Sequence, residues 1–161
     1  DQKAPEERNK AMQALADMKG GNAENGKAVF QRTCNACHKM PCGSGPDYAP
    51  PLDDFEGKGR IGKRLTRFKI VESIIDPNAE LNEKYLTTKI VTVDGKSIMG
   101  LLAGETPTEV VIFDGKDRKT IKKDDIEVRQ VVKQSSMPEG LAGSIAPLEF
   151  LDVIEYLGSL K

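Results

Sequence analysis

The chain has 161 residues and a mass of 17.6 kDa, the size of one or two domains and enough for a buried core. Lys and Arg total 24 against 25 Asp and Glu, a net charge of −1 that excludes a global pull toward nucleic acid. No apolar run approaches the roughly 20 residues that span a bilayer, and aromatics make up only 5% with no Trp, a thin supply for a core that points to some other filler. The three Cys and the one His all fall between Cys34 and Cys42. That clustering and odd count exclude a disulfide framework, and a single His excludes multi-His zinc sites. Asp1, where an initiator Met would stand, reads as a processed or excised chain.

Residues 1–21 read as an amphipathic helical extension, with Pro5 in its first turn, a ragged stripe of Met12, Leu15, Ala16 and Met18, and Gly20-Gly21 as its stop. A short helix over Asn25–Gln31 runs into the cysteines. Residues 39–62 hold Pro41, Pro46, Pro50 and Pro51 and read as one long loop. Thr66 caps a helix over Arg67–Ile75, which Asp76-Pro77 ends.

From Leu86 the apolar period changes to two. Segments Leu86–Val93 and Ile98–Ala103 flank Asp94-Gly95, and Val110–Phe113 and Arg118–Ile121 flank Asp114-Gly115, two hairpin signals. With Ile126–Val132 as a fifth strand, residues 84–132 read as a small antiparallel meander curled into an open barrel. A loop holding Ser136-Met137-Pro138 leads to a last helix from Pro147 to Leu160. The fold class expected is α+β: helices around an inserted β unit.

Cys34-Asn35-Ala36-Cys37-His38 is C-x-x-C-H. Thiols three residues apart can add to the two vinyl groups of one haem edge, and the next residue sets an imidazole under the iron. The competing readings are half a zinc site, which lacks a second pair, and a redox dithiol, which should follow a strand rather than a helix. Candidates for a sixth iron ligand are Met12, Met18, Met40, Met99, Met137 and Cys42. Met40 and Cys42 are too near His38 to reach round a porphyrin, and Met99 sits in a strand where packing is the plain expectation. Met137, stiffened by Pro138, is the choice.

These residues resemble a class I cytochrome c: Gly26 and Phe30 before C-x-x-C-H, a Pro-containing loop, a Met loop, and a last helix with Glu155-Tyr156-Leu157. From about Ala23 onward the chain is similar to the haem-binding domain family typical of Planctomycetes and Verrucomicrobia. The blocks that carry this are Glu72–Asn78, Val93–Lys96, Gly100–Leu102, Asp125–Glu127 and Ser136–Leu141, in that order.

The resemblance implies a monohaem cytochrome c domain over 22–161, mainly α with the β insertion. It implies one covalent haem c on Cys34 and Cys37, with His38 and Met137 on the iron. It also implies a crossing of helices at Gly26 and Tyr156. A Pro carbonyl, in a Gly-Pro of the relatives, is expected to accept the His38 N–H; Ala49-Pro50-Pro51-Leu52 fits that spacing best and departs from the pattern, whereas Gly45-Pro46 holds a Gly-Pro. The residues around Cys42 are particular to this chain.

The function expected is single-electron transfer between redox protein partners, an acidic surface or a larger dehydrogenase among them. A haem-based gas binder, a peroxidase-like protein or the haem module of a larger complex stand as alternatives. Covalent haem implies a periplasmic or otherwise exported location. The basic run Lys58, Arg60, Lys63, Arg64, Arg67 and Lys69 reads as a solvated face, as counter-charge for propionates, or as a docking patch.

Overall fold

The structure, a computed structural model, describes residues 3–41, 43 and 45–161. Cys42, the thiol the motif leaves over, lies outside them. The class is α+β, and two compact units divide the chain: Asp1–Ala79 with Glu139–Lys161, and Glu80–Pro138.

The first unit is helical. Its helices are α1 (Lys3–Asp17), α2 (Ala23–Thr33), α3 (Ile61–Arg64), α4 (Arg67–Ile75) and α5 (Pro147–Ser159). Their starts have local causes. Asn22 Oδ1 accepts the Asn25 N–H at 3.0 Å, Thr66 Oγ1 accepts the Lys69 N–H at 3.2 Å, and Pro147 opens α5 where its missing donor costs nothing.

The helix α5 buries Phe150, Val153, Ile154 and Leu157, one face at helical spacing. Against it lies α2, and the two meet at Gly26. A Cβ there would run into the Asp152 carbonyl and come within 2.8 Å of Tyr156 Cβ, so only Gly permits the approach. One turn on, the Phe30 and Tyr156 rings stand 5.9 Å apart at 58°, a tilted aromatic pair. Burying Phe30 fully contributes on the order of 2–3 kcal/mol.

The helix of the N-terminal extension expected over 1–21 packs within this unit. The helix α1 packs on α4, with Met12 and Ala16 only 2% and 4% exposed. Arg8 pairs with Asp76 at 3.1 Å. Arg67 Nε donates to Ala16 O at 2.8 Å and its Nη2 to Met18 O at 3.2 Å, answering carbonyls at the end of α1. The apolar stripe is narrower than expected. Met18 follows the last helical residue and is exposed. The long loop is also shorter than 39–62, because α3 begins at Ile61.

The second unit is a five-stranded antiparallel sheet: β1 (Leu86–Thr92), β2 (Ser97–Glu105), β3 (Glu109–Phe113), β4 (Arg118–Lys122) and β5 (Ile126–Ser135). Gly95 and Gly115 supply the positive φ of the two tight turns, 85° and 99°. The spatial order β4-β3-β2-β1-β5 corrects the simple meander. Instead of continuing beside β4, β5 returns to pair with β1, Ile90 opposite Arg129 and Thr88 opposite Val131.

The long β2 serves two partners, giving Ser97–Gly100 to β1 and Leu101–Glu105 to β3. Ile90, Val110, Ile112 and Ile121 form the buried cluster. Glu105, at the end of β2, receives a two-pronged Arg129 from β5 at 2.8 and 3.0 Å and Lys123 at 3.0 Å.

Candidate functional site

The C-x-x-C-H motif hangs directly from α2. Phe30 O accepts the N–H groups of both Cys34 (2.8 Å) and Asn35 (3.0 Å), and Cys34 O accepts those of Cys37 (3.1 Å) and His38 (3.0 Å). Two thiols and one imidazole therefore follow in consecutive turns from the helix whose other end is locked at Gly26. The Phe30 ring that fills the α2–α5 contact also lies 6.3 Å from the His38 ring.

His38 Nδ1 stands 2.8 Å from Pro50 O. A carbonyl can only accept, so Nδ1 carries the proton and Nε2 is left with a free lone pair. Burial lowers the His38 pKa; the Pro50 carbonyl pulls it the other way, and the positive charge of Arg64 adds to the lowering. The imidazole is thus held neutral, in one tautomer and one orientation, with the nitrogen a metal needs. Pro46, which follows Gly45, does not make this contact.

Pro50 is held in place by the loop around it. Tyr48 and Ala49 both donate their N–H groups to Cys37 O, at 3.1 and 3.2 Å, stitching the loop to the motif. Arg64 then binds three carbonyls: Pro51 O, Asp53 O at 2.7 Å and Gly59 O at 2.8 Å. Its guanidinium also lies 5.6 Å from the centre of the Phe55 ring. Asp54 accepts from Gly57 N at 2.9 Å and Gly59 N at 2.6 Å.

Arg64 is the residue that the basic-run reading misses. The signal was present. Four prolines strip a loop of N–H donors and leave carbonyls in want of one, and a forked guanidinium at the loop's end is the natural answer. Arg67 is likewise occupied, by Glu155 at 3.0 Å and the α1 carbonyls. Lys58 and Lys63 remain as exposed members of the run.

Cys34 and Cys37 are free thiols, neither deeply buried nor open. Burial, reinforced by Cys37, pushes the Cys34 thiol up to about 11, and burial raises Cys37 as well. A redox dithiol needs the opposite, a thiolate stabilised at neutral pH. Among the described residues no three His, Cys, Asp or Glu side chains converge as a metal cage. Two thiols and a single neutral imidazole suit a group that brings its own in-plane donors to the metal.

Met137 lies just after β5 and belongs to the sheet unit, whereas Cys34, Cys37, His38 and Pro50 belong to the helical one. It is half-buried, and its N–H donates to Ser135 Oγ at 3.2 Å. Met12 and Met40 are core residues, 2% and 5% exposed. Met99, expected to pack, is 40% exposed on β2.

Among the described residues no helix is long and apolar enough to cross a membrane. No protein-family model and no curated protein matches this chain.

Proposed function

We propose that the chain is a monohaem c-type cytochrome, built on a cytochrome c-like helical fold with a β insertion, that shuttles single electrons between redox protein partners. The observation that carries this is the His38–Pro50 contact. One residue beyond C-x-x-C, the only imidazole of the chain is kept neutral by burial and is oriented by a backbone carbonyl at Nδ1, with Nε2 left unprotonated. The α2–α5 contact at Gly26, with the tilted Phe30–Tyr156 pair beside it, supports the same reading. So do the raised thiols, which speak against the redox-dithiol alternative.

Cys34 and Cys37 would tether haem c through thioethers, and His38 Nε2 would ligate its iron. Met137 is the proposed distal ligand on the strength of its loop and its family position. Bound there, haem would supply a one-electron iron couple whose potential its protein ligands would set. The chain's own part is mechanical and electrostatic. The helix crossing fixes Phe30, Phe30 O fixes the motif, and Arg64 fixes the loop whose Pro50 carbonyl orients His38 and raises its basicity. Electron transfer asks for this rigidity and for no general acid or nucleophile. Thioether formation implies a periplasmic or otherwise exported site of maturation. Of the basic run, Lys58 and Lys63 are the exposed members that would meet an acidic redox partner or a larger dehydrogenase.

Expression in a host that matures c-type cytochromes, followed by acid-acetone extraction, tests the proposal. Haem stays with the polypeptide, and Cys34→Ser with Cys37→Ser releases it; extraction of haem from the unmodified protein overturns the assignment. In the loaded protein Met137→Ala lowers the potential and lets the reduced form bind carbon monoxide. Rapid carbon monoxide binding by the unmodified reduced protein would instead favour the small-ligand-binding alternative.

A further inference from the structure

The sheet of the second unit has two edges, and they are built differently. The β4 edge is five residues long and reads Arg-Lys-Thr-Ile-Lys. It is short and repels a copy of itself, the usual protection of an exposed edge. The β5 edge runs for ten residues, Ile126–Ser135, mixes both charge signs, contains no Pro, and pairs through β1 alone. Val128 and Val131 on it are 43% and 66% exposed.

Its pairing with β1 is regular over Val128–Val132 and shifts register at each end, beside Leu86/Thr87 and Val91/Thr92. The centre of that regular stretch is Gln130. An antiparallel copy of β5 laid along the edge about a two-fold axis through Gln130 sets Val128 opposite Val132 and Arg129 opposite Val131. Just outside, it sets Glu127 opposite Lys133, and by symmetry does so twice. Apolar meets apolar at Val128 and Val132, Arg129, which stays paired with Glu105, stands opposite the most exposed Val, and each end closes with opposite charges. Such self-complementarity is what an isologous contact requires.

We propose that β5 is a homodimerisation edge, pairing two copies of this chain antiparallel about Gln130 into a continuous sheet. The occupant is a second copy, because the charge pattern of β5 answers itself. This inference is independent of the haem.

Sedimentation velocity of the full chain over a rising concentration series tests it. The average mass climbs from 17.6 kDa toward twice that value. Glu127→Lys alone, or Lys133→Glu alone, sets like charges opposite at both ends and weakens association about tenfold. The double variant restores it, and an equimolar mixture of the two single variants associates better than either alone. Both positions are exposed, so circular dichroism shows the fold of each variant intact. A protein that stays at 17.6 kDa throughout overturns the proposal, and capture of a foreign strand then becomes the use of the edge. So does a dimer indifferent to Glu127→Lys, or a double variant that fails to recover.

Discussion

The two units spend their residues differently. In the helical unit key polar side chains of the 46–67 stretch bind backbone groups: Arg64 three carbonyls, Arg67 two, Asp54 two amides, while the Pro50 carbonyl takes the His38 ring. In the sheet unit the interior is a small aliphatic cluster around Ile90 and Ile112, and the charges sit on the surface pairing with one another. The first unit uses polar groups to set one imidazole. The second uses apolar groups to hold a platform, and its own edges are its most individual feature. A chain with few aromatics can therefore still position a site stiffly, because hydrogen bonds to loop carbonyls replace bulk.

The sharpest way to break this division is at Gly26. Gly26→Val drives a branched side chain into the Asp152 carbonyl, a backbone atom that cannot move without moving α5. The expected cost is about 3 kcal/mol or more, all of it in the helical unit. Amide exchange by NMR checks this: protection collapses across α2 and α5 while Ile90 and Ile112, fully buried in the sheet unit, keep theirs. Simultaneous loss in both would mean the two units fold as one and the division is only geometric.

The division also explains what could be read from the residues alone. C-x-x-C-H is legible because its chemistry is a matter of spacing along the chain. Thr66, Pro147 and the two Asp-Gly turns are legible because caps and hairpins are local, and they bring four strands and two helices within a residue or two of their limits. The return of β5 to β1 was not legible, since nothing in a period of two says which strand a strand will join. Nor was the docking of α1. Met12 and Ala16 make so narrow a stripe that it gains meaning only from α4 and from Arg67 below it. Arg64 looked like one cation among six; its role depends on where three carbonyls end up in space.

A smaller effect is expected at Arg64 itself. Arg64→Ala leaves Pro51, Asp53 and Gly59 carbonyls without their donor, costing about 2 kcal/mol. The loss is local: exchange quickens over residues 50–60 while α2 and α5 are unchanged. Arg64→Lys keeps the charge but cannot fork to three acceptors, so it recovers only part of the protection. Full recovery by Lys would show that charge near His38, rather than the shape of the loop, is what Arg64 contributes.

The smallest effect belongs to the surface of the sheet unit, and it sharpens the comparison because it turns on pH. Glu105 accepts from Arg129 and Lys123, and these hold its carboxyl at about 2 rather than 4.5. Asp114 is held at about 2 chiefly by the N–H groups of Asp117 and Lys116, with Lys119 adding to them. In both cases the folded group binds its proton less readily than the unfolded one. The stability they add is therefore complete above the ordinary carboxylate range and is lost as pH falls toward about 2. Urea unfolding of the sheet unit, followed at pH 5 and pH 3, should show the loss, and Glu105→Gln should flatten part of it. Salt separates the two carboxylates. Glu105 depends on side-chain cations in open solvent, so about 1 M NaCl screens much of its share. Asp114 depends first on backbone amides fixed by the turn, so Asp114→Asn should remove a pH dependence that salt leaves largely in place. If salt abolishes both equally, the Asp114-Gly115 turn is held by charge rather than by its amides, and the sheet unit has no polar positioning of the kind that sets His38.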